Sequence, residues 1–291
     1  MKRILVPVDF SSHTGISCQY AGAIAETTGA EIILFHSFFD QLYYSGAGFN
    51  SGGFESGIML TDEIILDFQK QKESRLEELA NELKSSLSQS GKSKVNVTYH
   101  MGIGDPEVQI LQAIEEFEPD LIILGSGGMG KKRLLSGSVA RRIMNTINTP
   151  VIAVPSLDEA HPIRNVVYMT TFEPADQDII VKIHSLLNTF DVNFFCLHLS
   201  NEKDSALAKQ KMDEFAGSPI LKALEGRISF HLLDDENQDE ALRNFLDEQK
   251  ADLIAFIPHK RNILKSIVFQ GLTKEDLFLT RIPILAIKPA N

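Results

Sequence analysis

Asp120-Leu-Ile-Ile-Leu-Gly-Ser-Gly-Gly-Met-Gly-Lys-Lys-Arg-Leu-Leu-Ser-Gly-Ser138 begins as an apolar run, empties into a glycine-rich loop and leads into the helical-looking Val139 to Met144. A strand that runs into such a loop and then into a helix start is a place to hold an anion, because bare backbone amides can close around phosphate oxygens there. The five glycines between 125 and 137 let the chain approach a ligand closely. Lys131, Lys132, Arg133, Arg141 and Arg142 make a basic island in a chain of formal net charge -11. Two familiar motifs can be spelled from these letters, and both lack a required part. Gly125-x-x-x-x-Gly130-Lys131 resembles a P-loop, but Lys132 stands where a Ser or Thr hydroxyl would ligate magnesium. Gly125-x-Gly127-x-x-Gly130 spells the dinucleotide fingerprint, but the next strand closes at Val154-Pro155 without the acid that would hold a ribose. A plain glycine-rich connection that binds nothing is the remaining alternative.

Working outward, strand and helix patterns alternate. Ile4-Leu-Val-Pro-Val-Asp9 is a buried strand ending at a carboxylate, with Ser11 and Ser12 as caps for a helix carrying Ile16, Tyr20, Ala23 and Ile24. Glu31 to His36 is a second strand, Thr61 to Leu87 a long amphipathic helix, Val95 to His100 a third strand, Pro106 to Phe117 a helix with proline in its first turn, and Pro150 to Val154 a last strand. This alternation predicts an α/β fold with a mostly parallel sheet covered on both faces. The glycine and aromatic segment Tyr43 to Phe54 is too long for a mere connection and is expected to fold over a crevice or seal a subunit contact.

The polar stretch Ser156 to Pro162 reads as a linker, and the same phrases then recur in the same order. Phe35-His36-Ser37 answers to Leu197-His198-Leu199, Tyr99-His100 to Phe230-His231, Asp120-Leu-Ile122 to Asp252-Leu-Ile254, and Pro150 to Val154 answers to Pro283 to Ile287. The expectation is two repeated doubly wound, Rossmann-like domains, residues 1–155 and 163–291, each with a five-stranded mostly parallel sheet. The second copy has Thr171 where the first has Asp9 and Ile257 where the first has Gly125. It keeps the fold pattern and loses the glycines.

A chain of 291 residues with 43% hydrophobic residues is long enough for two cores. Its acidic balance argues against nucleic acid and anionic membrane as partners. No apolar stretch has the length of a signal-peptide core or a membrane span, so a cytoplasmic location is expected. Cys18 and Cys196 sit far apart in apolar segments and are expected to be reduced, packed thiols. His36 and His198 recur at equal positions with no second ligand at metal spacing, and are expected to be satisfied by backbone. No catalytic constellation and no metal site can be argued from spacing.

Val6-Pro-Val-Asp-Phe-Ser11, Leu34-Phe-His36, Gly104-Asp-Pro106, Asp120-Leu-Ile-Ile-Leu-Gly-Ser126 and Gly137-Ser-Val139 together resemble the signatures of the universal stress protein family, and the resemblance covers both halves. It implies that the first domain binds ATP or another adenine nucleotide, with or without Mg2+. Nucleotide-binding members of the family hold ribose and phosphates on a Gly-x-x-Gly, nine-residue, Gly-Ser pattern. Their first-strand carboxylate holds the nucleoside, and backbone beside the second-strand histidine meets the adenine. Carried onto matching positions, this nominates Pro7, Val8, Asp9, Ser37, Leu124, Gly125, Gly128, Gly137, Ser138 and Val139. One departure is visible, since only eight residues separate Gly128 from Gly137. The resemblance further implies a stress-response regulator rather than an enzyme, with a nucleotide-independent scaffold and a slow ATPase as alternatives. It also implies that Val151 to Val154 and Ile284 to Ile287 pair within the chain as a pseudo-dimer, which leaves a homodimer open.

Overall fold

The computed structural model describes residues 1–38, 62–89, 95–125, 138–155, 157, 159–187, 189–200, 205–222, 224, 226–235, 237–258 and 281–289. Among the described residues ten strands form one sheet. In chain order the elements are β1 (Arg3–Pro7), α1 (Ser12–Thr28), β2 (Glu31–Phe38), α2 (Asp62–Gln89), β3 (Val97–Ile103), α3 (Pro106–Phe117), β4 (Leu121–Gly125), α4 (Ser138–Thr146) and β5 (Val151–Val154). There follow β6 (Asn165–Met169), α5 (Pro174–Leu186), β7 (Asn193–Ser200), α6 (Ser205–Ala216), α7 (Pro219–Lys222), β8 (Ile228–Asp234), α8 (Gln238–Glu248), β9 (Leu253–Phe256) and β10 (Ile284–Ala286). The predicted α/β architecture is observed. The boundaries differ most at β3, which starts two residues later than the alternation proposed and runs on to Ile103.

The sheet order is β3-β2-β1-β4-β5-β10-β9-β6-β7-β8. Read from the centre outward, the last five strands repeat the order of the first five. Every neighbouring pair is parallel except β5 with β10, which run antiparallel with Leu285 opposite Ile152. The pairing foreseen between the two final strands is therefore present within one chain. It joins the halves and leaves neither final strand as an open edge.

Strand alternation sorts the apolar side chains into two layers. Ile4, Val6, Ile32 and Leu34 enter one core with α1, α2, α5 and α6, whereas Leu5, Ile33 and Phe35 enter the other with α3, α4 and α8. Each core takes residues from both halves of the sheet.

Local chemistry sets the helix ends. Gly29 closes α1 in the left-handed region at φ 71°, with its N–H donating to the Ala25 carbonyl. Asp105 caps α3 by accepting from the N–H groups of Glu107 and Val108, and Pro106 fills the first helical position. The predicted linker is tied down, because the Ala160 N–H donates to Gln19 Oε1 and the His161 N–H to the buried Tyr20 hydroxyl.

One clamp occurs twice. Asp120 Oδ2 accepts from the N–H groups of Lys2 and Arg3, and Asp252 Oδ2 accepts from those of Arg164 and Asn165. Burial alone would raise the Asp120 pKa, but these two donors together with the charges of the N-terminus and Arg3 outweigh it and hold the carboxyl below its ordinary value. Both cysteines are buried free thiols, as expected. Burial pushes Cys18 up to about 12 and raises Cys196 further.

Candidate functional site

The sheet order reverses between β1 and β4. β1 lies between β2 and β4, and its pairing with β4 covers only Ile4 with Leu121 and Leu5 with Ile122. Beyond that point the two strands are no longer paired, which opens the sheet at their C-terminal ends, the position where open α/β sheets bind ligands. Backbone groups face it from both sides. On β2, the Phe35 carbonyl accepts from Val8 N–H at 2.8 Å. Strand alternation therefore turns the N–H and C=O of Ser37 toward the same edge, past the end of β1. On β4, Ile122 N–H donates to Pro150 on the β5 side, which turns the backbone of Gly125 the other way, toward β1.

Pro7, Val8 and Asp9 form the floor between them. Asp9 is exposed. Its Oδ1 accepts from Ser11 N–H at 2.9 Å and from the Thr14 hydroxyl at 3.3 Å, an Asx-type turn that leads into α1. Its Oδ2 has no partner among the described residues. Phe10 follows in the left-handed region at φ 57°, an unusual backbone for an aromatic residue. That turn brings Ser11 into place as N-cap of α1, with its hydroxyl accepting from His13 N–H.

The Phe10 ring packs on His36, with ring centroids 4.6 Å apart. His36 lies on β2 and its Nδ1 is 2.8 Å from the Val8 carbonyl. A carbonyl can only accept, so Nδ1 carries the proton. Burial lowers the His36 pKa, and the positive charges of Lys72 and Arg75 add to that against the opposing Val8 bond and Asp9 charge. The imidazole is thus neutral near pH 7 and serves as a clasp between β1 and β2. His198 repeats the arrangement on the Thr170 carbonyl at 2.7 Å. The structural reading of both histidines holds, and among the described residues no group of His, Cys, Asp and Glu could hold a metal ion.

Of the nominated residues, Pro7, Val8, Asp9, Ser37 and Gly125 come together at this gap. Leu124 and Val8 are buried, so their side chains belong to the core and only their backbone could serve a ligand. The Ser37 hydroxyl is already committed to the Gly104 carbonyl at 2.7 Å, which likewise leaves its backbone. Ser138 and Val139 are the first two residues of α4, the helix that follows β4. Gly128 and Gly137 lie outside the described residues, as do the Tyr43 to Phe54 segment and the basic residues 131–133. Arg142 does not stay free for an anion as the basic island implied. Its guanidinium bonds both carboxylate oxygens of Glu107, at 2.9 and 2.7 Å.

The equivalent corner of the second half has been rebuilt. Phe172 matches Phe10, at φ 56° and stacked on His198 at 5.5 Å. Thr171 stands where Asp9 does, and Asp176 stands on α5 where Thr14 stands on α1. The acid and the threonine have changed places. Asp176 is 3% exposed and accepts from the hydroxyls of Tyr168, Thr170 and Thr171 and from the N–H groups of Thr171 and Glu173. A carboxylate satisfied in this way has nothing left to offer a ligand. Ile257, at the place of Gly125, is buried.

The family match covers residues 1–155 and is the universal stress protein family. This chain belongs to that family. Among curated relatives, a universal stress protein of Methanocaldococcus jannaschii is 27% identical over 166 residues, 53% of this chain and 94% of the relative. A universal stress protein A homolog of Haemophilus ducreyi is 26% identical over 160 residues, 54% of this chain and 99% of the relative. Among solved structures, a universal stress protein from Archaeoglobus fulgidus covers 99% of this chain and 97% of its own, with a TM-score of 0.70 at 17% identity. A functionally unknown Pseudomonas aeruginosa protein covers 99% and 93%, with a TM-score of 0.59 at 13% identity. At these identities the two structures bear on the fold, which they share over nearly the whole chain.

Three residues at the Phe10 corner of this universal stress protein escape the motifs. Phe10 lies inside a quoted signature that assigns it no role. Lys72 and Arg75, which approach the Phe10 ring from α2, sit among many charged residues on a long helix, and nothing in their spacing singles them out.

Proposed function

We propose that this universal stress protein binds ATP or a related adenine nucleotide in the crevice of its first half and acts as a nucleotide-responsive regulator in the stress response. The observation that carries this reading is the placement of Asp9. Its carboxylate is exposed at the end of β1, with Oδ1 held by Ser11 and Thr14 and Oδ2 left for a ligand, between the backbone of Ser37 and that of Gly125. A carboxylate oxygen so placed can accept from ribose hydroxyls, while flanking N–H and C=O groups can meet the edge of a base. Gly128, Gly137, Ser138 and Val139 are the phosphate positions in this proposal. The buried Asp176 of the second half argues that the two halves have separate roles, and we take residues 1–155 as the binding domain and 163–291 as its structural partner.

The test is calorimetry on the full chain with ATP, with and without magnesium, together with assay of any ligand released when the purified protein is denatured. Asp9→Asn keeps an acceptor for the Ser11 turn and removes the charge, and is expected to weaken binding by roughly tenfold. Thr171→Ala is expected to leave it unchanged. If no nucleotide is released and none binds, the protein is a scaffold that works without one. If Asp9→Asn binds as well as the native chain but abolishes ATP turnover, the crevice belongs to an enzyme.

A further inference from the structure

The helix α2 is acidic along most of its length, yet it sets two cations side by side where it meets the crevice. Lys72 and Arg75 are three residues apart and so share one helix face, an arrangement in which like charges repel. At helical spacing Lys72 has Phe68, Gln69, Arg75 and Leu76 as neighbours, none of them an acid, while Arg75 has Glu78 three residues on. Among the described residues neither cation forms an ion pair. Both are drawn instead to one aromatic ring. The Arg75 guanidinium carbon lies 4.7 Å and the Lys72 ammonium 5.3 Å from the centre of Phe10, within cation–π range. The ring is itself held against His36 and by the left-handed turn after Asp9. The two cations are thus held at the ring of the residue that follows Asp9.

The second half provides an internal control. There Phe172 occupies the place of Phe10 on His198, but its further neighbour is the Phe215 ring of α6 at 5.6 Å. Two cations lie over the ring in the half whose acid faces solvent, whereas in the half whose acid is buried Lys211 is near His198 but the ring's partner is Phe215. If Lys72 and Arg75 served only to pack Phe10, an apolar partner such as Phe215 would serve as well without the repulsion.

We infer that Lys72 and Arg75 are specificity residues of the first-half crevice, which take an anionic group of the bound ligand, a phosphate, and that Phe10 is the platform that holds them there. This rests on the nucleotide reading given above. The pair supplies charge from α2 independently of the glycine stretch after β4. It also gives the crevice a counter-charge for phosphate in a chain whose net charge of -11 would otherwise repel one.

The experiment is calorimetry on the full chain with ATP, AMP and adenosine at two salt concentrations. The native chain is compared with Lys72→Gln/Arg75→Gln, which keeps stems over Phe10, and with the charge-keeping exchange Lys72→Arg/Arg75→Lys. The Gln pair is expected to weaken ATP roughly tenfold or more and to flatten its salt dependence, leaving adenosine within about twofold. The exchange is expected to bind ATP within about threefold of the native chain. Equal losses for ATP and adenosine in the Gln pair would make the two residues structural and overturn the inference, as would unchanged ATP affinity and salt dependence. A native chain that binds none of the three ligands would overturn the nucleotide reading, and this inference with it.

Discussion

At the scale of single residues, the instructive comparison is between Asp9 with Thr14 and Thr171 with Asp176. The same two residue types occupy the same two places in each half, with their order exchanged. In the first half the acid is at the strand end, touches two donors and faces solvent. In the second it sits one helical turn inside, buried among five donor groups. An ionised carboxylate can be buried when enough donors satisfy it, and removing it then orphans all of them. Asp176→Ala is therefore expected to cost about 3 kcal/mol or more in denaturant unfolding. Asp9→Ala, which loses only the turn before the α1 cap, should cost about 1 kcal/mol. Equal costs would show that the exchange has no energetic consequence. The loss of Asp9 from the second copy was legible in the sequence. That Asp176 had become the buried acceptor for the matching turn was not, because a helix position five residues on carries no mark of which way its side chain turns.

At the scale of elements, the same clasp joins strands in both halves. His36 ties β2 to the residue after β1, and His198 ties β7 to the residue after β6, each through Nδ1 and a backbone carbonyl. Burial is the leading cause that lowers both pKa values below the ordinary 6.5, with nearby Lys72 and Lys211 contributing. Above pH 6.5 both histidines are neutral in the folded and the unfolded chain, so their full contribution to stability is present. As pH falls below that value the unfolded chain takes up protons first. Stability then declines until the lowered folded pKa values are reached. Asp120 does not share this window, since its contribution is lost only below the ordinary carboxylate range. Denaturant midpoints are expected to fall on acidification from pH 7 toward pH 5, and His36→Gln with His198→Gln to flatten that slope. A slope unchanged by both substitutions would assign it to other groups. The recurrence of these histidines in the repeated phrases made a shared structural role readable in advance, although the carbonyl that each one holds became visible only in the fold.

At the scale of the whole molecule, β5 and β10 join two five-stranded halves into one sheet. Leu285 is fully buried opposite Ile152, and both hydrophobic layers continue across that seam. Burial of this kind couples the halves, so a single cooperative transition is expected by far-UV circular dichroism and by hydrogen exchange. Leu285→Ala should lower stability by about 2–5 kcal/mol and shift both halves together. Separate transitions in the native chain would mean that the halves unfold independently despite the shared sheet.

By itself the sequence determined the alternation of strands and helices, the recurrence of short apolar phrases, the family and the asymmetry between a first half with Asp9 and Gly125 and a second half without them. These follow from local chemistry and from the order of short apolar phrases, which one-dimensional reading can register. Only the tertiary structure decided which atoms face the gap between β1 and β4. It assigned the hydroxyl of Ser37 to Gly104, Arg142 to Glu107 and one oxygen of Asp9 to the start of α1. It also brought Lys72 and Arg75 across from α2 to the Phe10 ring. Hydrogen bonds and ring contacts between residues dozens of positions apart depend on strand register and helix rotation, and both are set by packing of the whole sheet.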